Sequence, residues 1–336
     1  MNTTPKKLLV VILNYLDTKV TIDCLHSLAS CNFEKNNDIR VVVWENGTGA
    51  EAVSLLQDNI QKCKWESWVN LEISPTNLGF TGGNNRVIEK SLNNMAPPDY
   101  YLLLNSDTLV TPQSLLSLVD FMDAHRNAGI CGSQLLSESG EIQNSPFRFP
   151  SIASELENGF SLGFLTRWLA RWNVVVMPAP SMPCQVDWVS GASMILRRQM
   201  LEQIGLLDEG FFTYFEDADL CKRAHQNNWE VWYLPASQVV HLEGASSGVV
   251  QSSIKRRPAY WFQARRRFFL KHYSIVQAMA IDAAYAIGFA TWRLRRLLQN
   301  KPDNDPPHML FDFVRNSVFF KGFKLPIVEI NKSTQK

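Results

Sequence analysis

Leu8-Leu9-Val10-Val11-Ile12-Leu13, closed by Asn14-Tyr15, is the stretch on which the fold turns. An uninterrupted apolar run rich in β-branched residues is the pattern of a strand covered on both faces, as in the middle of a parallel sheet. The run behind Lys6 and Lys7 is too short for the apolar region of a signal sequence. Asp17 to Ala29 follows with helical spacing. Val41-Val42-Val43-Trp44 repeats the strand and enters a turn at Glu45-Asn46-Gly47, after which Thr48-Gly49-Ala50-Glu51 reads as a capping box opening a helix to about Lys62. Val69 to Ile73 is a weaker strand, followed by a polar loop from Asn77 to Asn85 and a helix near Arg86 to Leu92. Tyr100 to Leu104 is a fourth strand ending in Asn105-Ser106-Asp107. Thr111-Pro112 opens the next helix with proline at its first position, and Ile130 to Gln134 is a fifth strand.

Strands alternating with helices up to about residue 135 predict an α/β fold around a mostly parallel sheet with helices on both faces. In such sheets ligands bind beyond the carboxyl ends of the strands. Asn14-Tyr15, Glu45-Asn46 and Asn105-Ser106-Asp107 all fall at such ends, which predicts one polar crevice. From Gln143 to Pro183 the pattern breaks into prolines and aromatic clusters, read as a variable flap or helical insertion over the crevice. Order returns at Val186 to Leu196, followed by a helix to Ile204, and Val231 to Leu234 and Val239 to His241 read as two short strands.

The chain has 336 residues, 46% hydrophobic and 19% charged, and a net charge of +1, which is a globular composition large enough for one big domain or for one domain with an appendage. Six scattered cysteines form no Cys-x-x-Cys pair, as expected of reduced cytosolic thiols. Charge is unevenly distributed. No Asp or Glu lies between Glu243 and Asp282, whereas Lys255, Arg256, Arg257, Arg265, Arg266, Arg267 and Lys271 do.

Three places could carry chemistry. Phe211 to Arg223 sets the carboxylates Glu216, Asp217 and Asp219 directly behind aromatic rings, which suits an acid/base centre and equally the first turn of a helix, with Asp219 and Arg223 facing at i,i+4. Asp107 sits at a strand end where a carboxylate can hold a hard cation bridging two phosphates, with His241 as a second ligand. Gly79, Gly82 and Gly83, among Asn77, Asn84 and Asn85, permit close backbone approach to phosphate or sugar, without the spacing of a dinucleotide fingerprint or a P-loop.

Taken in order, Asn14-Tyr15, Glu45-Asn46-Gly47, Asn77 through Asn85, Leu104 to Asp107, Gly191 through Arg197, Gly205 to Glu209, Phe212 through Arg223 and His241 resemble the motif series of the family 2 glycosyltransferases, most closely their rhamnosyltransferase branch, over about residues 7 to 275. The resemblance implies a GT-A fold over residues 1–250, with 1–135 as the nucleotide-sugar-binding half and 136–250 as the acceptor-binding, catalytic half. It implies an inverting enzyme of cell-surface polysaccharide synthesis that uses a nucleotide-diphosphate sugar (dTDP-L-rhamnose or a UDP-sugar) and a glycan or lipid-linked glycan acceptor. Asp217 takes the place of the general base and Glu216 that of an acceptor-binding partner. Asn14, Tyr15, Glu45, Asn77, Gly79, Gly82, Asn84, Asn105 and Ser106 fall at donor positions. Trp188, Gly191 and Tyr214 join Glu216 on the acceptor side, and Asp107 and His241 hold Mg²⁺ or Mn²⁺. Asn105 stands where the family has the first acid of its Asp-x-Asp motif, and Glu45 where it usually has Asp. A non-catalytic sugar-nucleotide-binding or scaffold protein of the same fold is the alternative.

Residues 251–300 read as a basic helical region whose aromatic stripe, with Trp261 and Phe268, suits the anionic cytoplasmic face of a membrane, with no role for nucleic acid. Asp282 in the middle of the apolar stretch Ser274 to Thr291 disfavours a span. Residues 301–336 form a tail.

Overall fold

The computed structural model describes residues 6–31, 37–160, 173–242, 255–303 and 305–327. The elements run β1 (Lys6–Asn14), α1 (Thr18–Ala29), β2 (Asn37–Asn46), α2 (Ala50–Lys62), β3 (Val69–Ser74), α3 (Gly79–Leu92), β4 (Tyr100–Asn105), β5 (Thr108–Val110), α4 (Pro112–Ala124), β6 (Ala128–Leu136), β7 (Pro146–Phe147) and α5 (Ile152–Phe160). They continue with β8 (Cys184–Gln185), β9 (Trp188–Val189), β10 (Ser193–Arg197), α6 (Arg198–Ile204), α7 (Glu216–Gln226), β11 (Glu230–His241), α8 (Ala259–His272), α9 (Ile275–Leu298), α10 (Met309–Asn316) and α11 (Val318–Lys321). The chain divides into two compact units. One gathers Met1–Phe147, Met177–Asp208 and Asp217–Val250; the other gathers Arg148–Val176, Glu209–Glu216 and Gln251–Lys336.

The first unit is built on a mixed, mostly parallel sheet in the order β3-β2-β1-β4-β10-β6-β11-β5, with β8 added to β11. β1 runs parallel to β2 and β4, β11 runs parallel to β6, and β10 lies antiparallel between β4 and β6. Leu8 through Ile12 of β1 and Tyr100 through Leu104 of β4 are buried throughout, as their continuous apolar sequence requires. Register aligns the polar strand ends: Asn14 pairs with Glu45, and Leu13, just before Asn14, pairs with Asn105.

Several local readings change. No capping box forms at Thr48: α2 is capped by Gly49, which has no side chain, while Thr48 Oγ accepts the Leu16 N–H at 3.1 Å. The loop Gly79 to Asn85 is itself the first part of α3, extending that helix well upstream of Arg86. Weak intrinsic helix formers are overruled there by packing, because a Cβ on Gly83 would come within 3.0 Å of the Leu13 side chain. The two strands expected around Pro235 are one strand, β11, whose register shifts between Leu234 and Gln238 where the proline lacks an N–H to donate. Within the expected flap, β7 and α5 form, and residues 161–172 lie outside the described residues.

The second unit packs α5 with α8 through α11. Its core includes Phe262, Phe289, Met309 and Phe313. α9 is long and apolar enough to cross a membrane by length and composition. Its central Asp282 is buried and accepts from Arg265 Nη1 at 2.5 Å, while Arg265 Nη2 donates to Glu155 at 2.7 Å. The aromatic stripe of α8 is likewise inward, with Phe262, Phe268 and Phe269 buried. The three arginines of α8 are thus engaged inside the unit, Arg266 donating to Asn316 O and Arg267 to Pro326 O, while Lys255, Arg256 and Arg257 ahead of it are exposed.

Candidate active site

At the end of β1, Asn14 is fully buried, accepts from Thr21 Oγ1 at 2.7 Å and donates to Thr18 Oγ1 at 3.3 Å. It fixes the turn that carries the half-buried Tyr15. At the end of β2, the buried Glu45 carboxylate accepts the N–H groups of Thr48 (2.6 Å) and Gly47 (3.2 Å). Asn46 accepts from Leu78 N–H at 2.9 Å and donates to Asn77 Oδ1 and the Gly79 carbonyl at 3.0 and 3.1 Å. Asn77 Oδ1 also accepts the Gly79 N–H at 2.8 Å. Asn14, Glu45 and Asn77, placed by the sequence at donor positions, hold the turns at the carboxyl ends of β1, β2 and β3. The stitching by Asn46 escaped the sequence reading, since a turn asparagine gives no sign of which distant backbone it will meet.

Gly47 makes this wall possible. It sits at φ +83°, and a Cβ there would fall 2.5 Å from Thr76 C and 2.6 Å from Asn77 N. Both the left-handed backbone and the close approach exclude a side chain. Gly47→Ala is expected to lower stability by more than about 1 kcal/mol, measured by urea and thermal denaturation. An unchanged melting curve would show that the turn adapts.

α3 presents Gly79, Gly82, Thr81 and Asn84 from its first turns. Thr81 and Asn84 are buried, and neither Thr81 Oγ1 nor Asn84 Oδ1 has a hydrogen-bond partner among the described residues. Unsatisfied buried acceptors are rare enough to require an explanation, and Thr81 was not foreseen. Asn85 instead clamps Leu207, accepting its N–H at 3.1 Å and donating to its carbonyl at 2.8 Å.

The turn after β4 holds Asn105, Ser106 and Asp107, the last two buried. Leu242 N–H donates to the Asp107 carbonyl at 2.9 Å, and His241 Nε2 lies 3.4 Å from Asp107 Oδ1. Sequence placed these two residues together, and the structure does the same through the antiparallel pairing of His241 with Thr108. Gln143, unforeseen, donates to the His241 carbonyl at 3.1 Å. A carboxylate and an imidazole of which Nδ1 is buried without a hydrogen-bond partner form a donor set that fits a divalent cation sharing its remaining positions with phosphate and water. Among the described residues no group of three or more His, Cys, Asp or Glu side chains converges, so this pair is the whole protein contribution found there.

The Asn105 N–H donates to the Ala192 carbonyl at 2.9 Å, which brings Gly191-Ala192 beside the turn that carries Asp107. Gly191 N–H in turn donates to Asp217 Oδ2 at 3.2 Å, and Ala218 N–H donates to Oδ1 at 2.8 Å. A Cβ on Gly191 would lie 3.3 Å from the Phe80 ring and 3.7 Å from Asp217 Cβ. The Asp217 carboxylate is thereby anchored to the same sheet edge as Asp107. Loss of surrounding water raises its pKa, backbone N–H donors, those of Ala218 and Gly191 first, offset part of the rise, and the result is a carboxyl pushed up to about 6. Asp219 is fully buried and accepts from Arg223 Nε at 2.9 Å, as the i,i+4 spacing predicted. Trp188 stacks on Phe147 at 4.0 Å and 13° between ring planes, an aromatic platform in the small β7–β9 sheet.

Tyr214 and Glu216 belong to the second unit. Tyr214 and Phe215 both adopt left-handed backbone, φ +72° and +67°, immediately before Glu216 begins α7. Two consecutive bulky residues in that region store strain, and stacking holds them there: Tyr214 lies on Tyr260 at 6.0 Å and Phe215 meets Trp261 at 5.9 Å.

A family model described as "Glycosyltransferase like family 2" matches residues 5–266. The chain belongs to this glycosyltransferase family. Among curated proteins, the family 2 chain is 26% identical over 232 residues to an N-acetylglucosaminyl-diphospho-decaprenol L-rhamnosyltransferase of Mycobacterium tuberculosis, covering 66% of this chain and 72% of that protein. It is 27% identical to rhamnosyltransferase WbbL of Escherichia coli, over 48% of this chain and 60% of WbbL. It is 23% identical to the low-salt glycan biosynthesis hexosyltransferase Agl10 of Haloferax volcanii, over 82% and 85%. Among solved structures, GalNAc-T7 with UDP, GalNAc and Mn²⁺ aligns with a TM-score of 0.57 at 13% identity, over 97% of this chain and 59% of that one. The mannosyltransferase PcManGT of Pyrobaculum calidifontis, in complex with GDP-Man and Mn²⁺, aligns with a TM-score of 0.55 at 12% identity, over 96% and 83%. The expected family and GT-A fold are borne out, and the mixed sheet with its helices is the GT-A core of a glycosyltransferase.

Proposed function

We propose that this glycosyltransferase inverts the anomeric centre in a single displacement, moving L-rhamnose from dTDP-L-rhamnose to a hydroxyl of a lipid-linked glycan precursor at the cytoplasmic face of the membrane. The observation that carries the reading is Asp217: a carboxylate held by two backbone N–H groups and raised to about 6, on the sheet edge that bears Asp107 and His241. A base with that proton affinity is ionised near neutral pH yet accepts a proton better than an ordinary carboxylate. As the acceptor oxygen bonds to the anomeric carbon, its proton passes to Asp217, and the bond from that carbon to the diphosphate breaks with its electron pair on the nucleotide. Thr81 and Asn84 offer the donor their unsatisfied oxygens, and the Phe147–Trp188 stack offers an apolar face to a sugar ring. A divalent cation held by Asp107 and His241 would neutralise charge on the departing diphosphate. The rhamnosyl part of the reading is supported by the names of the M. tuberculosis and E. coli relatives, and the lipid-linked part by the name of the first.

Incubation with a panel of nucleotide sugars and polyprenyl-diphosphate-linked acceptors, read as nucleoside diphosphate release, tests the reading. Release is expected with dTDP-L-rhamnose above all others, and release confined to another donor would replace the rhamnosyl assignment. Asp107→Ala tests the metal position. A nucleotide present at about 100 times its Kd stabilises a protein by about 2.7 kcal/mol. The dTDP-induced rise in Tm is expected to be sensitive to EDTA in the wild type and smaller and insensitive in Asp107→Ala. A full, EDTA-sensitive rise in the variant would remove Asp107 from the site.

A further inference from the structure

The charges of α8 are spent within the second unit, yet that unit carries another surface of the opposite kind. Phe311, Phe319, Phe320, Phe323, Leu325 and Ile327 are all exposed, Phe320 at 71% and Ile327 at 69%. Soluble proteins rarely leave so many large apolar side chains uncovered in one short segment. The charged residues between Met309 and Ile327 are Asp312, Arg315, Lys321 and Lys324. Asp312 is buried and accepts from Arg256 Nε and Nη2 at 2.6 Å each, whereas Arg315, Lys321 and Lys324 are exposed. The large apolar and the charged side chains that the segment exposes are therefore aromatic, aliphatic or cationic.

It is also held in shape from beneath. Val318 N–H donates to Asp282 Oδ2 at 2.8 Å, Arg266 donates to Asn316 O at 2.9 Å, and Arg267 donates to Pro326 O at 2.7 Å. These bonds pin both ends of the stretch that carries the phenylalanines to the core of the unit, so the apolar groups are presented on an ordered support.

We infer that residues 309–327 form the face by which this protein rests on an anionic lipid bilayer, the phenylalanines entering the interfacial layer and Arg315, Lys321 and Lys324 meeting lipid phosphates. Aromatic rings interleaved with cations and free of exposed acid match an anionic interface in both polarity and sign. A second copy docking through this same patch would set cations against cations, which is unfavourable. The inference rests on the reading of a membrane-borne acceptor and moves the contact from α8, where the sequence placed it, to the segment that α8 anchors.

Co-sedimentation of the full chain with vesicles of phosphatidylcholine alone, or mixed with phosphatidylglycerol, tests it without any transfer reaction, so it can fail separately from the enzymatic reading. Binding is expected only to the mixed vesicles, and it is expected to weaken as salt is raised. Lys321→Glu/Lys324→Glu and Phe319→Ser/Phe320→Ser/Phe323→Ser are each expected to weaken partitioning by about tenfold or more, while keeping the wild-type dTDP thermal shift as evidence of folding. Absence of wild-type binding, or wild-type binding by both folded variants, would overturn the proposal. So would a wild-type dimer, seen by light scattering, that the serine variant dissociates, since the patch would then be a protein interface.

Discussion

Asp217→Asn is expected to lower kcat by about 10²–10⁴-fold, the range attributable to a positioned general base, while leaving dTDP binding near wild type. The amide keeps the size of the side chain and an oxygen for one of the two N–H donors, Gly191 or Ala218, as the protonated acid would, while proton acceptance is lost. For the wild type, kcat/KM is expected to fall as pH drops through about 6, because the base is then protonated, and the variant's residual activity should lack that limb. The stability effect has the opposite sign. The native state holds this proton more tightly than an unfolded Asp would, so ionising Asp217 costs stability above its native pKa, and protonation restores it as pH falls from about 6 toward the ordinary carboxylate range. Asp217→Asn should therefore melt higher than the wild type at pH 8 and nearly the same at pH 4. Wild-type turnover by the variant would remove Asp217 as the base. A variant melting lower at pH 8 would contradict the enclosed environment described for it.

The second large effect is structural. Arg265 is buried between Glu155 and Asp282, with the rings of Phe269, Tyr285 and Phe313 within 5.2 Å of its guanidinium carbon. Arg265→Met removes the cation and leaves two buried carboxylates facing one another, so a loss of about 3–5 kcal/mol is expected in urea denaturation followed by far-UV circular dichroism. Adding Glu155→Gln and Asp282→Asn to the same chain is expected to recover most of that loss, because the unpaired charges, more than the missing attraction, cause it. A single variant as stable as the wild type would show that the triad contributes nothing. A triple variant no better than the single one would assign the loss to packing of the aliphatic stem.

The sequence made the strands of the first unit legible because a strand buried on both faces must be apolar throughout, and β1 and β4 are. The same simplicity exposed the polar residues that end them. α3 was only half legible: glycine and asparagine argue against a helix locally, and the packing of Gly83 against Leu13 outweighs them. The surroundings of α8 were illegible for a related reason. Its arginines look solvent-seeking until their partners are known, and Glu155 and Asp282 lie 110 and 17 residues away.

By itself, then, the sequence determined the alternation that makes an α/β sheet, the acidic residues at its carboxyl edge and the pairing of Asp219 with Arg223, since each follows from periodicity or spacing within a few residues. The tertiary structure alone decided the partners of the carboxylates, giving Arg223 to Asp219 and the Gly191 and Ala218 N–H groups to Asp217, and which turns Asn14, Glu45 and Asn46 hold. It also decided which arginines are buried and which phenylalanines face water. Those are properties of neighbours distant in the chain, and burial and electrostatics act through space.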